Sequence, residues 1–170
     1  MSVETTRTGM DRLRHAPADH PAIKAAKVGV LIANLGTPDG YGYWPMRRYL
    51  SEFLSDKRVI EEPAWKWWPI LNLIILTVRP GKKGKDHQTI WNNEKNEGPL
   101  RTITRDQAEG VAKALAGYPN VIVDWAMRYA NPSTESRIRW LQEQGCERIL
   151  LVPLYPQYAA ATTATAADQA

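Results

Sequence analysis

Three short runs of apolar residues, at 28–35 (VGVLIANL), 121–127 (VIVDWAM) and 148–154 (RILLVPL), constrain this chain more than anything else in it. Each run is continuous instead of alternating. That pattern marks a strand buried on both faces, and such strands belong to parallel sheets covered by helices. Between the second and third runs, Asn131 reads as a helix N-cap, Pro132 as a first-turn proline and Gly145 as the stop. Strand, helix and strand at this spacing make a βαβ unit with a right-handed crossover.

The interval between residues 36 and 119 predicts at least two more helices. In the first, Met46, Tyr49, Leu50, Phe53 and Leu54 form one apolar stripe behind Pro45. In the second, Thr104 and Gln107 pair as a capping box, Ala108, Val111, Ala112 and Leu115 form the buried face, and Gly117 ends it. The fold class is therefore α/β, a parallel sheet flanked by helices in a Rossmann-like lobe. Three strands make a small sheet, and the Ala/Thr run at 159–170 reads as the first turns of another helix. The lobe is expected to be incomplete, with a sheet edge left to be paired.

Composition narrows the function classes. A chain of 170 residues supplies one ordinary domain, and 44% apolar with 24% charged residues excludes a disordered protein. The 22 Lys and Arg exceed the 18 Asp and Glu only mildly, too weak an excess to argue nucleic acid. Cys146 stands alone, so a disulfide framework and a cysteine-ligated iron–sulfur cluster are both excluded, and a reducing, cytoplasmic compartment fits. Residues 1–26 carry Arg7, Arg12, Arg14, His15, Asp19 and His20 without an apolar core, which reads as a polar, flexible leader and not a secretory signal. The most apolar stretch, 65–78, is broken by Lys66, Pro69 and Asn72. It falls short of the ~20 residues a spanning helix needs.

In an open parallel sheet, ligands bind beyond the carboxyl ends of the strands. The informative residues are then Asn34 to Gly40 after the first run, Arg128 to Asn131 after the second, and Tyr155 to Tyr158 after the third. The first set lacks both glycine-rich phosphate patterns, which counts against a nucleotide. One guanidinium, several phenols and amides, and small backbone-exposing residues suit a flat aromatic ligand bearing carboxylates.

The segments NLGTPDG (34–40), YLSEFLSDKRVI (49–60), RPGKKGKDHQTIW (79–91), MRYANPS (127–133) and LVPLYPQYAAATT (151–163) resemble the ferrochelatases in order and in spacing. The resemblance covers Val28 to about Thr165. It implies insertion of ferrous iron into protoporphyrin IX to form protohaem, the last step of haem biosynthesis by that route. It also implies two similar α/β lobes around a porphyrin cleft, with this chain (27–170) matching the first. No cofactor is implied, since ferrous iron is a substrate. Carried over by position, Leu35, Gly36, Thr37 and Pro38 would line the porphyrin cleft, with Gln157 and Tyr158 shaping its wall. Arg128 and Tyr155 would lie on the side where the metal is handled. The family's catalytic histidine and acidic residue belong to its second part, and His15, His20 and His87 do not match that histidine. No metal ligand is assigned to this chain, and the chain alone is expected to have little or no activity.

Three departures from the family pattern stand out. His87 takes the place of a tyrosine, Gly98 that of a serine, and Ala164 that of a glycine, which puts the turn after Thr163 in doubt. Trp65, Trp67, Trp68 and Ile70 read either as part of a core helix or as an apolar lip resting on a membrane, where the resemblance implies the edge of the cleft. The basic run Arg79, Lys82, Lys83 and Lys85 beside them reads as a solvated face or as a contact for anionic headgroups. Three rivals remain on sequence: a non-catalytic porphyrin-binding or membrane-associated fragment, a cobalt-using tetrapyrrole chelatase, and a nucleotide-binding domain.

Overall fold

The computed structural model describes residues 26–170. The leader reading, with His15 and His20, lies outside the described residues apart from Ala26. The apolar runs form β1 (Lys27–Gly36), β2 (Val121–Tyr129) and β3 (Cys146–Pro153), all parallel, in the order β2–β1–β3. Leu31 pairs with Asp124 on one side and Leu151 on the other, and Ala33 pairs with Ala126 and Pro153. As the central strand, β1 buries consecutive residues Leu31, Ile32 and Ala33, which is why its sequence does not alternate.

Helices α1 (Tyr43–Ser55), α2 (Ala64–Pro69), α3 (Leu76–Thr89), α4 (Pro99–Ala114), α5 (Thr134–Glu143) and α6 (Thr165–Asp168) complete the lobe. Two π-helical turns, Ile70–Ile75 and Ala160–Ala164, lead into α3 and α6. On α5, Leu141 packs with Leu31, Ala126 and Cys146 to form the core on one side of the sheet. The stripe on α1 buries Met46 and Leu54, and Leu54 joins Leu71 and Leu76 in a second cluster.

Two helix starts differ from the sequence expectation. α4 begins at Pro99 behind Gly98, well before Thr104. Proline suits a first helical position because the missing N–H needs no partner there. Thr104 is instead fully buried inside the helix. Its hydroxyl donates to the Leu100 carbonyl at 2.7 Å and accepts from the Asn34 amide at 3.1 Å, tying α4 to β1. Ala112, placed on the buried face by sequence, is exposed. For α5 the cap is Ser133, whose side chain accepts from the Ser136 N–H at 3.2 Å. Asn131 is drawn away by Asp39, to which its amide donates at 2.8 Å. Gly145, at φ +82°, stops α5 as expected.

The segment from Trp65 to Val78 is neither a core helix nor wholly a lip. It buries Leu71 and Leu76 while Trp65, Trp68, Leu73, Ile74 and Val78 face outward. Among the described residues no helix is long and apolar enough to cross a membrane.

Candidate functional site

The carboxyl ends of the three strands carry the candidate residues in one row. Ala33, Ala126 and Pro153 are paired across the sheet. Leu35 and Arg128 lie two residues further along β1 and β2, and Tyr155 lies two residues beyond the end of β3. The rim is closely knit. Gly36 pairs with Tyr129, and the Tyr49 hydroxyl donates to the Gly36 carbonyl at 3.4 Å. Asp39 accepts from Arg101 at 2.6 Å and from Asn131, fastening the loop after β1 to α4 and to the loop after β2.

Gly36 is required by the approach of these two strands. It sits at φ +114°, and a Cβ there would overlap the Tyr129 carbonyl oxygen. Thr37 and Pro38 are buried behind it, so these three present backbone more than side chain to the rim. Leu35 is half-buried, while Gln157 and Tyr158 project to solvent. The departures from the family pattern find physical reasons. A Cβ at Gly98 would run into the Thr37 hydroxyl, so glycine fits where serine does not. Ala164 adopts ordinary right-handed helical angles, φ −67° and ψ −43°, so no glycine is needed for that turn. The His87 Nδ1 lies 2.9 Å from the Lys83 carbonyl, within its own helix.

Arg128 does not extend as an open guanidinium. Its Nη2 donates to Asp56 Oδ2 at 2.5 Å, its Nε to the Thr165 carbonyl at 2.9 Å and hydroxyl at 2.7 Å, and its Nη1 to Gln169. Its charge also lies 4.3 Å from the centre of the Tyr129 ring. Tyr129 donates to the same Asp56 oxygen at 2.8 Å. Burial opposes the ionised form of Asp56. Hydrogen bonds from Thr165, the Arg58 N–H and Tyr129, with the charge of Arg128, outweigh it and hold the carboxyl below its usual range. Burial pushes the Tyr129 phenol up to about 12. It does the same to Tyr49, with help from Tyr155 and Glu52. Tyr155 is raised by burial against the opposing charge of Arg128, and its hydroxyl is buried with no hydrogen-bond partner.

Sequence reasoning missed Asp56, Thr165 and Gln169. Asp56 lies within a quoted family segment, but nothing local links it to a residue at the end of β2. Beside the row is a cavity of about 230 Å³ lined by residues including Asp39, Tyr49, Glu52 and Asn131. Pockets that hold a drug-sized ligand run to roughly 300–1,000 Å³, so this cavity accommodates only part of a larger one. Among the described residues no group of three or more His, Cys, Asp or Glu side chains is arranged to hold a metal ion. The chemistry available here is a row of protonated phenols and one guanidinium already balanced by a carboxylate.

The three-stranded parallel sheet flanked by helices matches a chelatase-like α/β lobe. The family model described as ferrochelatase matches residues 27–170, and the chain belongs to the ferrochelatase family. It is 65% identical over 154 residues to a ferrochelatase of Rhizobium etli, covering 91% of this chain and 45% of that protein. Identity is 64% to a ferrochelatase of Agrobacterium fabrum over the same shares. It is 59% to one of Rhodobacter capsulatus, covering 92% of this chain and 46% of the relative. The chain thus spans about half the length of the curated relatives it matches.

Proposed function

We propose that this chain forms one wall of a tetrapyrrole cleft serving the insertion of ferrous iron into protoporphyrin IX, which yields protohaem and two protons. The observation that carries this reading is the family match over residues 27–170, supported by Arg128 near the end of β2 and Tyr155 just past the end of β3. Metallation requires both pyrrole protons to leave and the ring nitrogens to tilt toward the metal. A wall that favours the bent macrocycle lowers that barrier. Leu35 supplies apolar contact, and the unpartnered Tyr155 hydroxyl, kept protonated by burial, is free to hydrogen-bond a polar group of the ligand. Among the described residues no imidazole stands beside Arg128 and Tyr155 to take the protons, and no clustered ligand set is arranged to hold the iron. Since the chain spans about half the length of its relatives, the 170 residues alone are expected to form little or no haem.

The reading extends to a peripheral membrane contact on the cytoplasmic side. Trp65 and Trp68 are 76% and 64% exposed, next to Ile70, Leu73, Ile74 and Val78, with exposed Lys66, Arg79, Lys82, Lys83 and Lys85 alongside. Apolar anchors interleaved with cations suit an anionic lipid surface, from which a greasy porphyrin would arrive.

The test is a titration of the purified chain with protoporphyrin IX, read by tryptophan quenching, paired with a haem-formation assay. Quenching with little turnover supports the reading. Turnover matching that of the Rhizobium etli relative, or no quenching at all, overturns it.

A further inference from the structure

The guanidinium at this rim is oriented by residues far from the strand that carries it. Arg128 stands near the end of β2, yet each of its three nitrogens is taken by a partner outside β2. Thr165 binds Nε, Gln169 binds Nη1 and Asp56 binds Nη2. Thr165 and Gln169 are neutral. Among the described residues, Asp56 is the only carboxylate hydrogen-bonded to Arg128.

The pair is shielded, with side chains 13% and 10% exposed, so solvent does little to weaken it. The Asp56 carboxylate also gathers the Tyr129 hydroxyl, the Thr165 hydroxyl and the Arg58 N–H. One anion thereby aligns donors from the end of β2, from the turn after α1 and from α6. Without it Arg128 Nη2, the Tyr129 hydroxyl and the Arg58 N–H would lose the acceptor they share, and the guanidinium would be held only through the neutral Thr165 and Gln169.

Tyr155 gives this arrangement a consequence. Its hydroxyl is buried and bonded to nothing, although Arg128 is close enough for its charge to act on the phenol. A buried hydroxyl left unmet is costly, and a ligand entering the rim would relieve that cost.

We propose that Asp56 is a positioning residue of the rim, acting through Arg128, whose guanidinium it holds against α6. The inference rests on the reading that Arg128 and Tyr155 face the tetrapyrrole.

The experiment is a double-mutant cycle on the full chain with Asp56→Asn, Arg128→Lys and the combined variant, titrated with protoporphyrin IX by tryptophan quenching. Each single change is expected to weaken binding about tenfold, and the pair also about tenfold, because both remove one arrangement. In parallel, nitrogen-15 spectra follow the Arg128 Nε–H resonance, assigned by its loss in Arg128→Lys. Asp56→Asn should displace it while leaving the Arg101 and Arg137 resonances in place. Losses that multiply to about a hundredfold overturn the proposal. Wild-type affinity in Asp56→Asn alongside a loss in Arg128→Lys does so as well. If the unaltered chain shows no quenching, the cleft reading fails, and an unmoved Arg128 resonance in Asp56→Asn would separately end the positioning claim. Should Asp56→Asn not fold, Asp56→Glu, which keeps the charge, enters the same cycle.

Discussion

Gly36 and Tyr129 stand opposite each other at the ends of β1 and β2, so close that Gly36 has no room for a side chain against the Tyr129 carbonyl. The contact sets how near two rim segments lie, and it joins a positive φ to a steric limit. Gly36→Ala should therefore cost more than the ~1–2 kcal/mol of a left-handed residue alone. Gly81, on α3 with open space around it, is the control. Gly81→Ala should stabilise by about 0.5–1 kcal/mol from helix propensity. Urea midpoints of the two variants decide this, and a Gly36→Ala midpoint within error of the unaltered chain would contradict the geometry.

Thr37 and Gly98 form a second close pair, between the loop after β1 and the cap of α4. Restoring the serine usual in the family, by Gly98→Ser, should destabilise the chain by about 1–3 kcal/mol through overpacking. Adding Thr37→Ala removes the obstructing hydroxyl and methyl, so the double variant should recover most of that loss. Thermal unfolding of the two singles and the double gives the coupling. Strictly additive losses would mean that the two residues do not compete for this space.

Glu97 is buried and bonded by Arg105 and by the Thr102 hydroxyl at 2.7 Å. Burial works against its ionisation, but these hydrogen bonds and the charge of Arg105 prevail, so its carboxyl titrates below the usual range. A depressed folded value means that the stabilisation is complete above the unfolded pKa of about 4.3 and is lost as pH falls through the folded one. Glu97→Gln should cost about 2 kcal/mol at neutral pH, the scale of hydrogen bonds to a charged group. It should also flatten the acid limb of the stability curve. Parallel acid limbs for the two proteins would assign the acid sensitivity elsewhere.

The sheet was the most legible part of this fold, because a central parallel strand is covered on both faces and buries consecutive residues, as at Leu31, Ile32 and Ala33, although the edge strand leaves Leu150 exposed. Helix faces were legible where the stripe meets the core, as at Met46 and Leu54. Helix starts were not. At Thr104 a cap pattern was overridden by a buried hydrogen bond to Asn34, a residue on another strand. That Leu35, Arg128 and Tyr155 stand at or just past strand ends was legible from the apolar runs alone. The fastening of Arg128 was not, since Asp56, Arg128 and Thr165 are distant along the chain and meet only once the sheet is assembled. Local sequence carries periodicity and punctuation. It carries no record of which charge a folded chain will set beside another.

The tryptophans after Pro63 separate into two kinds, and mutation should separate them the same way. Trp67 is half-buried against Leu54 and Leu71, and its indole N–H donates to the Leu54 carbonyl at 2.7 Å. Trp67→Phe removes that bond and should cost about 1 kcal/mol, while Trp67→Ala, which also opens a cavity, should approach 3 kcal/mol. Trp65 and Trp68 make no such contact with the core cluster. Trp65→Ala and Trp68→Ala should leave stability within about 0.5 kcal/mol, as surface changes do. If this face meets lipid, the same two changes should lower retention on vesicles containing phosphatidylserine, measured by co-sedimentation, whereas Trp67→Phe should not. An indole anchored to a helix carbonyl is unavailable to a membrane, and one projecting from α2 into solvent is free to enter it. Equal retention across all of these variants would remove the face from the argument and leave the exposed tryptophans without an assigned surface.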